Sequence, residues 1–349
     1  MWRAQAWRLN AYGEGGDPAA AIKALKLEDI PVPEPAKGEV RVKVEIASCN
    51  PIDWKLFSGG LDGVCPCTFP YTPGFDIAGT VDALGEGVDS FKVGDAVIAD
   101  IGLCESCCKP PPPAGSGGAF AQYACVPVSI CASRGAASAE ALAGLPLVGL
   151  TSYQALFTGS CAKSFAGEPL GDIKKGSKLL ILGGSSATGL FAIQMAKAVG
   201  ATVACTASDN KMPDGASKMD FVKKLGADTV IDYKNKDWSV ELAGQEYDQI
   251  YDCVGEMADL EKAPKVLKAG GLFVSIANFN PEAKSTEKVR FANFLLQSNA
   301  VDLKELVAMT EKGTLKVHID SVHPFEDVPK AITQSMGFRS GGKILVKVA

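Results

Sequence analysis

Residues 178–200 read KLLILGGSSATGLFAIQMAKAVG. Lys178 to Leu182 is a short apolar run that suits a buried strand. A Gly/Ser-rich turn follows, and then a helix expected from about Leu190 to Val199. Few folds place a glycine turn directly between a buried strand and a helix. That order gathers the free N–H groups of the first helical turn, and their partial positive charge suits a pyrophosphate. Leu179 to Gly189 therefore fits a dinucleotide fingerprint, with Gly184, Ser186 and Gly189 at its three glycine places. Ser186 is small enough for close approach, and its hydroxyl can bond a phosphate. A purely structural tight turn is the competing reading.

The pattern around this turn continues. Strands are expected at Ala201 to Ala207, Thr229 to Ile231, Gln249 to Cys253 and Gly271 to Ile276, and helices around Asp220 to Leu225 and Leu260 to Leu267. Alternating strands and helices imply a parallel sheet with right-handed crossovers. The first third differs. Glu39 to Ile46 (EVRVKVEI) alternates apolar and charged residues, and short segments follow between Gly and Pro signals, as in a mostly β, barrel-like domain. Pro110 to Gly118 is a loop by composition, and Ala136 to Ala155 reads as helical with one Pro near its middle. The last fifty residues return to mixed helix and strand. The expected fold is α/β: a Rossmann, doubly wound parallel-sheet domain (142–300) inserted in a split, mostly β catalytic domain (1–141 and 301–349).

Bulk properties exclude several classes. A length of 349 residues suits two domains. With 47% hydrophobic and 21% charged residues the chain is globular rather than disordered. A net charge of −5 offers no basic field for nucleic acid or anionic lipid. No apolar run reaches the roughly 18 residues of a membrane span. The first residues carry no secretory pattern, and the 11 Cys are odd in number and scattered, so reduced thiols and a cytoplasmic location are expected.

The second strand of such a sheet selects the cofactor. NAD enzymes usually end it with Asp or Glu, which holds the ribose 2′-hydroxyl. Here it ends Thr206-Ala207-Ser208, with Lys211 and Lys218 just beyond and Asp209 as the one nearby acid. This favours NADPH, with Ser208, Lys211 and Lys218 as candidate 2′-phosphate contacts.

At this point the chain resembles the medium-chain dehydrogenase/reductase superfamily, in its zinc-independent quinone oxidoreductase and enone reductase branch. The resemblance rests on Asn50-Pro51-Ile52-Asp53, Pro73 to Val81 (PGFDIAGTV), Val93 to Val97 (VGDAV), Gly117 to Tyr123 (GGAFAQY), Leu145 to Leu156 (LPLVGLTSYQAL) and Gly189 to Val203, in family order. It implies a GroES-like catalytic domain, an active site in the cleft beside the Rossmann domain, and a homodimer. It adds Asn50, Thr151, Ser185, Ala187, Thr188, Tyr233, Cys253, Val254, Gly255, Ile276 and Lys343 to the expected cofactor contacts. Two departures stand out. Ser186-Ala187-Thr188-Gly189 replaces the family's G-G-V-G, and Asp209 to Ser217 looks like an insertion in the phosphate-binding loop.

The zinc alcohol dehydrogenases of the superfamily carry Cys at the position of Asn50 and His at that of Phe75. Phe cannot ligate zinc and a carboxamide is a poor ligand, so no catalytic metal is expected. Cys104, Cys107 and Cys108 cluster, yet a structural zinc needs four ligands, and Cys65 and Cys67 could complete a site only through folding, so reduced loop thiols are expected. Without a Lewis acid, an electrophilic acceptor is expected: a quinone or an α,β-unsaturated carbonyl, with the developing oxyanion held by preplaced donors. The resemblance assigns Asn50 to orientation and Lys55 to the nicotinamide ribose or the oxyanion. Two other readings are an enoyl-thioester (enoyl-CoA) reductase and, from another class, a non-catalytic NADPH-binding structural or interaction protein.

Overall fold

The computed structural model describes residues 2–61, 66–102, 118–157, 169–212, 215–338 and 340–349. Its strands are β1 (Arg3–Arg8), β2 (Lys26–Pro31), β3 (Glu39–Cys49), β4 (Asp76–Leu84), β5 (Ala96–Asp100), β6 (Tyr123–Pro127), β7 (Cys131–Ser133), β8 (Lys178–Leu182), β9 (Thr202–Ala207), β10 (Thr229–Asp232), β11 (Tyr247–Asp252), β12 (Leu267–Ser275), β13 (Val289–Asn293), β14 (Ile319–Pro324) and β15 (Lys343–Lys347). The helices are α1 (Pro18–Ala24), α2 (Pro51–Phe57), α3 (Ala139–Leu142), α4 (Pro146–Leu156), α5 (Ala187–Ala198), α6 (Lys218–Lys224), α7 (Trp238–Glu241), α8 (Met257–Lys262), α9 (Ala300–Glu311) and α10 (Val328–Met336). None of these is long and apolar enough to cross a membrane.

The chain divides into two compact units. The first holds Met1–Leu147, Gln297–Glu311 and Ile319–Ala349; the second holds Val148–Leu296 and Lys312–His318. In the first unit a seven-stranded sheet runs β14-β15-β3-β4-β5-β7, with β6 paired to β3 off that path. All its pairs are antiparallel except β14 with β15. β3 anchors the sheet: Val40, Val42, Val44 and Ile46 are buried, and the strand runs on past the predicted Ile46 to Cys49. That extension delivers Asn50 to the start of α2.

In the second unit all strand pairs are parallel, in the order β10-β9-β8-β11-β12-β13. This is the doubly wound dinucleotide-binding order, whose direction reverses between β8 and β11. Leu180, Leu182, Ala204, Ile250 and Phe273 from adjacent strands form its core with Trp238, Val266 and Phe291.

Local chemistry accounts for where boundaries differ from expectation. The helix predicted over Ala136 to Ala155 is two helices, because Pro146 starts α4 instead of lying inside one helix. Proline lacks the N–H an interior position must donate, and its fixed φ suits a first turn. α5 begins at Ala187, three residues before the predicted Leu190, because the Ser186 hydroxyl accepts the Gly189 N–H at 3.0 Å and caps it.

Candidate active site

In the second unit, the turn between β8 and α5 is shaped by contacts that exclude side chains. Gly183 adopts φ +84°. A Cβ on Gly184 would stand 2.6 Å from the Cys205 Cβ, and one on Gly189 would stand 2.4 Å from the Gly183 carbonyl oxygen. β9 holds the turn from the side. The Gly183 N–H donates to Thr206 Oγ1 at 2.9 Å, and the Gly184 N–H to the Thr206 carbonyl at 2.8 Å. The sequence analysis missed this part for Thr206, because its only signal was a polar residue ending an apolar strand. Ser186 is occupied as a cap, and its hydroxyl also lies 3.2 Å from Thr188 Oγ1. The Cys253 thiol bonds to Thr188 and Ser186; burial pushes it up to about 12, so it stays neutral. Ser185, Ala187 and Thr188 are half-buried along the turn, and Thr151 is buried on α4.

The ends of β9 and β10 lie side by side, with Ala207 paired to Asp232. Ala207 and Ser208 are buried, and no acid ends β9. Within Asp209 to Ser217, expected as an insertion, Lys211 bridges to Ser217 and the Met212 N–H donates to the Ala216 carbonyl at 2.8 Å. Lys211 is exposed, whereas Lys218 is buried at the first position of α6. Tyr233 stands exposed beside them. Lys234, a residue the sequence analysis passed over, donates to Asn210 Oδ1 at 2.9 Å. Cys253, Val254, Gly255 and Ile276 follow the ends of β11 and β12.

In the first unit, Asn50 is fully buried ahead of Pro51 at the start of α2. Its backbone N–H donates to Asp53 Oδ2 at 2.7 Å, and its amide nitrogen donates to Asp76 Oδ2 at 2.8 Å. The Lys343 ammonium donates to Asn50 Oδ1, to the Cys49 carbonyl at 3.0 Å and to Asp76 at 3.5 Å. Both ends of the Asn50 amide are thus engaged by buried partners, and Lys343 is buried against Asn50 and Asp76. Asp100 lies in the same polar core, taking bonds from Ser298 Oγ at 2.8 Å and the Gly102 N–H at 3.2 Å. Three buried carboxyls share one buried ammonium, and the acids respond. Burial, with Asp76 close by, raises Asp100 to about 8. Burial also pushes Asp53 and Asp76 up, while Lys343 and the Asn50 amide pull Asp76 back down. Lys55, one turn along α2, is exposed with its ammonium 5.7 Å from the centre of the Trp54 ring. The protein packed around it still lowers its pKa from the ordinary lysine value through partial loss of water.

A catalytic zinc does not fit these residues. The buried Phe75 ring carries no ligand atom, and the Asn50 amide is committed to Asp76 and Lys343. Among the described residues no three His, Cys, Asp or Glu side chains gather as metal ligands. The Cys104, Cys107 and Cys108 cluster and Cys65 lie outside the described residues.

A nicotinamide dinucleotide does fit the second unit. The glycine turn leaves room for a backbone-bound pyrophosphate at the N-terminus of the 12-residue α5, on the carboxyl edge of a parallel sheet. That sheet and turn define a dinucleotide-binding unit, set on one chain with a separate mostly β unit.

Comparison with known proteins places it more closely. Residues 36–134 match the family described as alcohol dehydrogenase GroES-like domain, and residues 225–346 match the one described as zinc-binding dehydrogenase. The chloroplast envelope quinone oxidoreductase homolog of Arabidopsis thaliana is 32% identical, over 98% of this chain and 98% of its own. The chloroplastic NADPH-dependent alkenal/one oxidoreductase of the same plant is 32% identical, over 98% of this chain and 79% of its own. The solved structure of the quinone oxidoreductase from Coxiella burnetii superposes with a TM-score of 0.81 at 27% identity, over 100% of both chains. The chain belongs to the medium-chain dehydrogenase/reductase superfamily, in the branch of quinone oxidoreductases and enone reductases.

Proposed function

We propose that this protein uses NADPH to reduce quinones or α,β-unsaturated carbonyls without a metal. The observation that carries the cofactor choice is the end of β9. Buried Ala207 and Ser208 stand where an acid would repel a 2′-phosphate, and Lys211, Lys218, Tyr233 and Lys234 gather around that end. A relative whose name specifies NADPH and alkenals or alkenones supports the same choice and the acceptor class.

Bound NADPH would supply hydride, which leaves the protein to steady the negative charge that falls on the acceptor oxygen. Lys55 is the group assigned to that oxygen, or to the nicotinamide ribose. It is an exposed ammonium whose lowered pKa makes it the readier proton donor. Asn50 acts through position: its bonds to Asp53, Asp76 and Lys343 hold the first turn of α2, and Lys55 follows in the last turn of the same helix. Delocalisation in a quinone or enone lowers the demand for an electrophile, so a single ammonium suffices where a simple ketone would need more.

The test is turnover with 4-deuterated NADPH. Deuterium is expected at the β-carbon of an enone product, with the α-hydrogen drawn from solvent. Lys55→Ala should cut kcat by about 10²–10³ if the ammonium meets the oxyanion. It should instead raise the NADPH KM, with kcat kept, if it meets the ribose. Label on a carbinol carbon, or efficient oxidation of simple alcohols, would overturn the proposal. Selective turnover of enoyl-CoA would move it to the thioester reading.

A further inference from the structure

Two loops at the carboxyl edge of the parallel sheet converge on one buried carboxylate. Asp252 ends β11, and its Oδ1 accepts the N–H groups of Val254 at 2.8 Å and Gly255 at 3.0 Å. Its Oδ2 accepts the hydroxyl of Ser275 at 2.7 Å. Ser275 ends β12 and is the register partner of Asp252. Its Oγ in turn accepts the N–H groups of Ala277 at 3.2 Å and Asn278 at 2.9 Å. Asn278 is buried, and its carbonyl accepts Asn293 Nδ2 at 3.2 Å from the end of β13. One carboxylate and one hydroxyl thus collect four N–H groups from two loops.

Stability alone does not call for this arrangement. Burial raises the Asp252 pKa, and the bonds from Ser275, Val254 and Gly255 only partly offset it. Well-packed apolar residues often hold such places at no loss. What the carboxylate adds is fixed loop geometry. Val254 turns its N–H inward and keeps its side chain half exposed; its Cγ2 lies 3.2 Å from where a Cβ on Gly183 would begin. Gly255 takes φ +97°, and a Cβ there would meet Ala277 at 2.9 Å. The two loops therefore touch each other, and the first also covers the glycine turn.

We propose that Asp252 and Ser275 are a positioning pair that locks the loops after β11 and β12 into one unit and seats the nicotinamide half of the cofactor. This rests on the reading that a dinucleotide binds at the β8–α5 turn. With its adenosine half over β9 and β10, the other half crosses the switch point to β11 and β12.

The test uses Asp252→Asn and Ser275→Ala in the full chain. Asn keeps an oxygen for Val254 and Gly255 but turns an N–H₂ toward a Ser275 oxygen that already accepts two N–H groups. Amide hydrogen exchange, measured without cofactor, should speed up by about tenfold or more at Val254, Gly255, Ala277 and Asn278 together, with β8 and β9 still protected. NADPH affinity should fall by about tenfold or more, while affinity for 2′,5′-ADP, which carries only the adenosine half, stays unchanged. A merely structural defect would weaken both ligands. Should Asp252→Asn not fold, Ser275→Ala removes the link between the loops while leaving the Asp252 carboxylate bonded to Val254 and Gly255, and exchange should still speed up at all four amides. Faster exchange confined to the loop of the altered residue, with NADPH affinity within about twofold of wild type, would overturn the proposal. A wild-type chain that binds neither NADPH nor 2′,5′-ADP would sink the cofactor reading, and the exchange data alone would then decide whether the loops move as one.

Discussion

At the scale of single residues, the polar core of the first unit stores a pH dependence. Asp100 is raised from the ordinary 3.8 to about 8, first by burial and then by the Asp76 charge. An acid raised on folding holds its proton more tightly in the folded chain than in the unfolded one. Its contribution to stability is therefore full below the unfolded value and is lost as pH rises through about 8. Asp100→Asn keeps an oxygen for the Gly102 N–H, and the Ser298 hydroxyl can turn to accept from the new N–H₂. Melting temperatures taken from about pH 5 to about pH 8.5 should fall more steeply for wild type than for Asp100→Asn. Parallel curves would show that Asp100 is ionised throughout. Asp100 was not legible as a site residue. Its partner Ser298 lies 198 residues away, and nothing in the short period of either segment signals the pair.

At the scale of elements, the β8–α5 turn was the most legible part of the site. A strand, a glycine turn and a helix are local in sequence, so spacing alone placed Gly184, Ser186 and Gly189. To the phosphate contact expected of Ser186 the structure adds a helix cap, bonded to Gly189. What spacing could not show is how the neighbouring strand closes on the turn. Gly184→Ala places a methyl 2.6 Å from the Cys205 Cβ, against a strand that cannot yield easily. Overpacking of this kind typically costs about 1–3 kcal/mol. The variant should lose NADPH affinity by about tenfold or more in a fluorescence titration and melt at a lower temperature. Unchanged affinity would show that the cofactor does not depend on this turn. The pairing of Lys211 with Ser217 was likewise invisible beforehand. The family resemblance marked an insertion, but the Lys211–Ser217 bridge needs both ends in place.

At the scale of the whole molecule, cofactor binding should appear as stability. A ligand held only by the folded chain at 100 times its dissociation constant adds about 2.7 kcal/mol. NADPH should therefore raise the melting temperature more than NADH at equal concentration. The gap should narrow in Lys211→Ala, Lys218→Ala or Lys234→Ala, whichever side chain meets the 2′-phosphate. Equal shifts with the two cofactors would remove the argument drawn from Ala207 and Ser208. High salt should shrink the difference too, because an exposed lysine–phosphate contact is screened.

The amino-acid sequence alone determined the alternation of strand and helix, the glycine turn, the lack of an acid at the end of β9 and the lack of zinc ligands at positions 50 and 75. Each of these is a matter of residue type at short spacing, where backbone sterics and side-chain chemistry act locally. Tertiary structure alone decided which distant groups share a buried site. Asp76 and Lys343 are 267 positions apart, and Asn50 and Lys343 are 293. Asp252 meets Ser275 only because the parallel sheet sets β11 beside β12. Burial then supplies what no motif encodes. Removing water from a carboxyl shifts its proton affinity and makes every remaining hydrogen bond count, so the state of Asp53, Asp76, Asp100 and Asp252 follows from packing rather than from the residues beside them in the chain.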